Sequence, residues 1–122
     1  MEVLIFGHPR SQTTRAAQRW FAERRIPVHQ RDLRKRPASP KELRRWADPL
    51  GTQGIIDEEA AVYREEGMAY LQLDDEGWLA RACAQPLILR LPLVRCGGTV
   101  AVGHDPEGWA RVAAAAGDRS SG

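Results

Sequence analysis

The chain has 122 residues, 43% of them hydrophobic, and a formal net charge of +2 from 18 basic and 16 acidic side chains. That length builds one complete core and not two, and so small a charge excess gives no field that marks the whole molecule as a nucleic-acid or membrane binder. No run approaches the roughly 18 apolar residues that span a bilayer, Met1-Glu2 leads straight into an apolar strand, and Cys83 and Cys96 show neither CxxC nor metal spacing, so a cytoplasmic protein with reduced thiols and no metal is expected.

Residues 2–6 (EVLIF) form an apolar run that predicts a strand buried on both faces. Gly7 to Pro9 break it, and from Ser11 the period becomes helical, with Ala16, Ala17, Trp20 and Phe21 on one face and Arg15, Arg19, Glu23 and Arg24 on the other. Ser11 or Thr13 serves as N-cap. The helix is expected to end near Arg25, because Pro27 biases Ile26 away from helical angles, and residues 27–33 supply a second strand. A polar linker over 34–40 leads to a helix from about Ser39, with Pro40 in its first turn, Leu43 and Trp46 as contacts, and Pro49 and Gly51 as its stop.

Residues 54–66 and 75–84 read as two more helices, presenting Ile55, Ile56, Ala60 and Tyr63, then Trp78, Leu79, Ala82 and Cys83. Strand runs at 93–95 and 99–102 flank Cys96-Gly97-Gly98, a hairpin signal. A last helix is expected over roughly 106–115. The sum is one domain over 1–115 with a helical insertion at about 38–85, and a disordered tail over 116–122.

The order β-α-β, helical insertion, β-hairpin, helix is that of the thioredoxin-like α/β fold, a mixed sheet with flanking helices. HPRSQTTR after the first strand, DLRKRPASPKEL after the second, PLILRLPLV and VGHDPEGW follow one another at the spacing of four motifs of a known family. On these stretches the chain resembles the glutaredoxin-like arsenate reductases (ArsC) and their Spx-type relatives over about residues 2–115. The resemblance places Ser11 at the family's nucleophilic cysteine and Thr14 at the second cysteine of its CxxC form. It places Asp57 where an arginine stands, Leu91 at a second arginine with Arg90 one position early, and Arg95 and Val100 near a third. It also implies a cis peptide at Leu91-Pro92.

A serine hydroxyl does not ionise near neutrality and forms no mixed disulfide, so reductase chemistry at Ser11 is not expected. His8, Ser11, Arg15, Arg90 and Pro92 remain as an anion- or thiol-binding group, with Arg15 one helical turn from Ser11. The resemblance brings glutathione, or another small thiol, as the ligand such a group would take; no bound cofactor is expected.

His8 is a candidate base for Ser11, in a His-Ser dyad with no acid to orient it. Cys96, beside Arg95 at the hairpin, is a candidate reactive thiol, whereas Cys83 on an apolar face reads as core. Arg31, Arg34, Lys35 and Arg36, with Arg44 and Arg45, form a basic run that lacks interleaved aromatics, so nucleic-acid binding is not expected. Two function classes stay open: a non-catalytic binding or regulatory module with a protein partner, and a thiol-dependent reductase using Cys96.

Overall fold

The computed structural model describes residues 2–121. Its elements are β1 (Val3–Gly7), α1 (Gln12–Glu23), β2 (Val28–Asp32), α2 (Pro40–Leu50), α3 (Ala61–Glu65), α4 (Asp75–Ala84), β3 (Leu93–Cys96), β4 (Thr99–Val102) and α5 (Pro106–Ser121). The strands form a sheet in the order β2-β1-β3-β4. β1 and β2 run parallel, joined by a crossover through α1, while β3 is antiparallel to β1 and to β4. This is the thioredoxin-like arrangement the element order predicts.

Strand alternation sorts the core into two layers. Val3, Ile5, Val94, Cys96 and Ala101 point to one face, where Ala17 and Phe21 of α1 and Trp109 and Val112 of α5 cover them. Leu4, Phe6 and Leu93 point to the other, under Leu43 and Trp46 of α2 and the helices of the insertion. Trp46 joins the layers by donating its indole N–H to the Val94 carbonyl at 2.9 Å, and its ring meets Phe6 at 5.1 Å between centroids. A buried indole needs such an acceptor.

The helix ends follow local chemistry. Ser11 caps α1, and Ser39 caps α2 through a complete capping box with Glu42. Of the two N-caps open for α1, Ser11 is used. α1 ends in a Schellman arrangement, with Arg25 N–H on Ala22 O and Ile26 N–H on Phe21 O, and Arg25 takes a φ of 57° that glycine ordinarily supplies.

Three expectations need correction. The helix read over 54–66 is only Ala61–Glu65: a 3₁₀ turn spans Gln53–Ile55, Ile56 bridges to Leu89, and the Asp57 carboxylate accepts the Glu59 N–H at 3.0 Å, holding a turn that interrupts the helix. Pro49 lies inside the last turn of α2, not beyond it, since Gly51 N–H still reaches Ala47 O at 2.7 Å; the stop is Gly51, at φ 84°. α5 runs to Ser121, past the 115 expected; the alanine run over 113–116, of high helix propensity, carries it past that point. Residues 116–121 of the expected tail are therefore helical, and Gly122 lies outside the described residues.

Arg31 organises the segment after β2. Its guanidinium forms an ion pair with Glu42, donates to the carbonyls of Arg36 and Pro37, and lies 4.7 Å from the centre of the Phe6 ring. The bond from Arg31, ahead of the Ser39 amide and hydroxyl contacts, holds the Glu42 carboxyl down from its ordinary 4.5 to about 2. A depressed folded pKa adds stability that is complete above the unfolded value and is lost as pH falls through the folded one. Stability followed by urea unfolding is therefore expected to decline between about pH 4.5 and pH 2, and Glu42→Gln to flatten that part of the profile and to cost about 1–2 kcal/mol at neutral pH.

Candidate functional site

The turn between β1 and α1 carries the site. Gly7 ends β1 against Thr14: a Cβ on Gly7 would fall 2.3 Å from the Thr14 methyl, so only glycine lets α1 start this close to the strand. Ser11 then opens the helix, its N–H on His8 O at 3.0 Å and its Oγ accepting the Thr14 N–H at 3.0 Å.

The Ser11 proton is committed as well. Thr13 donates its hydroxyl to the Leu91 carbonyl, so the contact of 3.0 Å between the two hydroxyls has Ser11 donating to Thr13 Oγ1. This chain, Ser11 to Thr13 to Leu91, ties the start of α1 to the segment before β3. The Leu91-Pro92 peptide is cis, as the resemblance implies. The same segment is clamped by Arg90 N–H on Ile55 O and by Gly103 N–H, shared between the carbonyls of Arg90 and Pro92. Gly103 reaches both from a φ of 70°.

A cleft of about 550 Å³ opens beside this junction. Its lining includes Ser11, Thr13, Asp57, Arg90 and His104 together with the apolar Leu87, Leu89, Leu91 and Val102. Arg90 and Leu91 both reach the cleft because the segment is irregular, not a strand with alternating faces. Asp57 is the acid that the sequence places where a cation was expected, and it shares the cleft with Arg90. Thr13 and His104 are the residues the sequence reading missed. Thr13 was considered only as a cap; His104, edge-on to Trp109 at 5.3 Å, becomes a neighbour of Ser11 only through the sheet.

The other expected residues lie elsewhere. His8, Thr14 and Arg15 line a second cavity, of about 330 Å³, between α1 and the ends of β1 and β2, with Gln18, Gln30 and Asp32. Arg15 therefore does not share a pocket with Ser11; its guanidinium donates to Pro9 O at 2.5 Å. Thr14 is buried, and its hydroxyl has no partner among the described residues.

No His-Ser dyad forms. His8 Nδ1 accepts the Arg10 N–H at 3.0 Å, and the Ser11 proton points to Thr13. Burial, opposed by Asp32 and reinforced by Arg34 and Arg10, lowers the His8 pKa.

Cys96 is a buried strand residue, 3% exposed, and not the exposed turn thiol that the sequence suggests. It pairs with Thr99, so the hairpin loop is Gly97-Gly98 alone, and it packs with Val3 and Val94 under α5. The antiparallel register sets Arg95 against Leu4, so Cys96 lies at the start of β1 while Ser11 follows its end, a strand length of roughly 13 Å away. Cys83 is half-buried, and burial, then the Glu42 charge, push its thiol pKa up, away from thiolate.

The sequence profile of the ArsC family matches residues 6–112. The chain belongs to the ArsC family. Arsenate reductases of Neisseria meningitidis serogroups A and B are each 29% identical to this ArsC-family chain over 109 residues, covering 87% of it and 93% of their own length. Among solved structures, an arsenate reductase from Vibrio cholerae superposes with a TM-score of 0.79 at 23% identity, covering 92% of this chain and 98% of that one. An arsenate reductase related protein from Brucella melitensis gives a TM-score of 0.68 at 19% identity, over 91% and 93% of the two chains. These two likenesses carry the fold. No helix among the described residues is long and apolar enough to cross a membrane.

The Thr13 bond is the testable part of this geometry. Thr13→Val leaves both the Leu91 carbonyl and the Ser11 hydroxyl without their partner, and is expected to cost about 1 kcal/mol in urea unfolding, while Thr13→Ser retains most of it.

Proposed function

We propose that this ArsC-family chain is a non-catalytic binding or regulatory module built on the arsenate reductase fold. Serine stands at the position of the family's nucleophilic cysteine. Reduction by the family route needs a thiolate that attacks the oxyanion and is then released by a second thiol through a mixed disulfide. A helix start lowers a thiol pKa into a usable range, but no such help makes a serine hydroxyl a redox group.

The observation that carries this reading is the commitment of Ser11. Its oxygen caps α1 and its hydrogen goes to Thr13, so it serves as a structural joint. The electrostatics agree, because a carboxylate, Asp57, lines the same cleft as Arg90 and opposes binding of an arsenate dianion there. What the cleft retains is a polar rim over leucine and valine side chains, suited to a ligand or peptide that carries both polar and apolar groups. Glutathione or a small thiol, the reductant that family membership implies, remains the ligand class to test there, with no bound cofactor required.

A reductase route through Cys96 has no support in the geometry. That thiol is buried beneath α5, at the far end of β1 from the cleft.

The test is a coupled assay of arsenate and disulfide reduction with glutathione and glutaredoxin, alongside thiol labelling of the native protein. The wild type and Cys96→Ser are expected to turn over at background, and native labelling to be slow for both cysteines. Ser11→Cys is expected to add one fast-reacting thiol, because the helix start then stabilises a thiolate. Wild-type turnover that disappears in Cys96→Ser would overturn the reading.

A further inference from the structure

The basic run singled out in the sequence has no part in the cleft, and its structure is unlike a uniformly solvated face. α2 covers only part of its sheet face and leaves a groove against the edge strand β2 and the segment that follows it. Two adjoining cavities, of about 540 and 230 Å³, share Leu4, Phe6 and Glu42 in their walls. Lys35 and Arg36 line the first, and Lys41, Arg45 and Arg95 the second.

The charges of this groove are not balanced from within. Its two acids are already engaged: Glu42 holds Arg31 and the Ser39 amide, and Asp32 holds the Arg34 amide and guanidinium. Lys35, Arg36, Lys41 and Arg45 are exposed and have no ion-pair partner among the described residues. The Arg95 Nε is buried without a partner, held near the Trp46 ring. The segment bearing Lys35 and Arg36 is fixed in place by the Arg31 bonds to the carbonyls of Arg36 and Pro37. The backbone that carries Lys35 and Arg36 is therefore held in place, and a partner that pairs with them need order only their side chains.

Two features choose between anionic partners. The aromatic floor is closed: Phe6 and Trp46 are 2% and 0% exposed, and Arg31 lies over the Phe6 ring. No aromatic face is offered for bases to stack on, which removes the usual source of affinity for a single-stranded nucleic acid. β2 is an edge strand, paired only with β1, so its outer row of backbone N–H and C=O groups faces outward beside the cations.

We propose that this groove takes an acidic, extended segment of a partner protein, which adds alongside β2 and sets its carboxylates against Lys35, Arg36, Lys41 and Arg45. Main-chain bonds to the edge supply register, and the charges supply selectivity and encounter rate. This gives the binding-module reading a partner class, and rests on that reading for its biological sense. It uses none of the residues of the cleft, so the two stand or fall on separate variants.

The experiment titrates the isotopically labelled 122-residue chain with a short peptide of alternating glutamate and valine. The same peptide with lysine in place of glutamate, and a short oligothymidylate, serve as comparison probes. The acidic peptide is expected to bind saturably, to weaken as salt screens the pairs, and to shift amide signals within residues 28–45. Arg36→Glu with Lys41→Glu is expected to weaken it at least about tenfold with the folded spectrum retained, whereas Ser11→Cys and Asp57→Arg leave it unchanged. The proposal is overturned by absence of saturable acidic-peptide binding at low salt, by equal or tighter binding of oligothymidylate, or by shifts centred on Ser11 and Arg90. It is equally overturned by indifference to the charge reversals. Arsenate turnover in the wild type would sink the non-catalytic reading and leave this groove untouched.

Discussion

The hydroxyl chain from Ser11 through Thr13 to the Leu91 carbonyl is the contact on which the arrangement of the cleft depends. It crosses 78 residues of sequence and joins the start of α1 to the cis-proline segment before β3. Each hydroxyl has one hydrogen to give, so the order of donation is settled once Leu91 is the final acceptor. Gly7 lets α1 begin directly off β1, Ile55 and Gly103 hold the far side of the junction, and the cleft is the space left between. Both the oxygen and the hydrogen of the Ser11 hydroxyl are thus engaged in holding this junction.

Around that junction the sheet separates two kinds of surface. Its α1 and α5 side is closed by Phe21, Trp109 and Val112, and it has absorbed Cys96 as a packing residue. Its other side is only partly closed, because α2 seats Leu43 and Trp46 centrally and the insertion packs behind them. Arg31 finishes the uncovered margin by bridging the edge strand, the linker and the first turn of α2. One internal ion pair thus fixes the linker and also uses up Glu42, the acid that would otherwise neutralise Lys41 or Arg45. Cleft and groove share none of their lining residues.

The elements with strong local signals were legible in the sequence, each for a physical reason. β1, α1 and β2 are separated by turn residues and differ in apolar period, and α2 begins at a Ser-Pro pair followed by glutamate at the capping-box position. The insertion was legible as helical only in part, since apolar spacing from Ile55 to Tyr63 is compatible with one helix. Whether Ile56 instead pairs with Leu89 is decided by a segment some thirty residues away. Cys96 was misplaced by a single residue of hairpin register, and in a strand one residue exchanges a turn position for a core position.

The sequence by itself determined the family, the order of elements and the absence of a thiol at the mouth of α1, because these depend on residue identity and local spacing. Tertiary structure alone decided which residues share a cavity. Arg15 is four positions from Ser11, yet it serves a different cavity, while Asp57, Arg90 and His104 reach the Ser11 cleft from three distant segments. A helix turns its side chains by about 100° per residue, and sheet pairing brings remote turns to one end of the strands. Proximity along the chain therefore says little about who meets in a site; that is set by which strand edges pair and in what register.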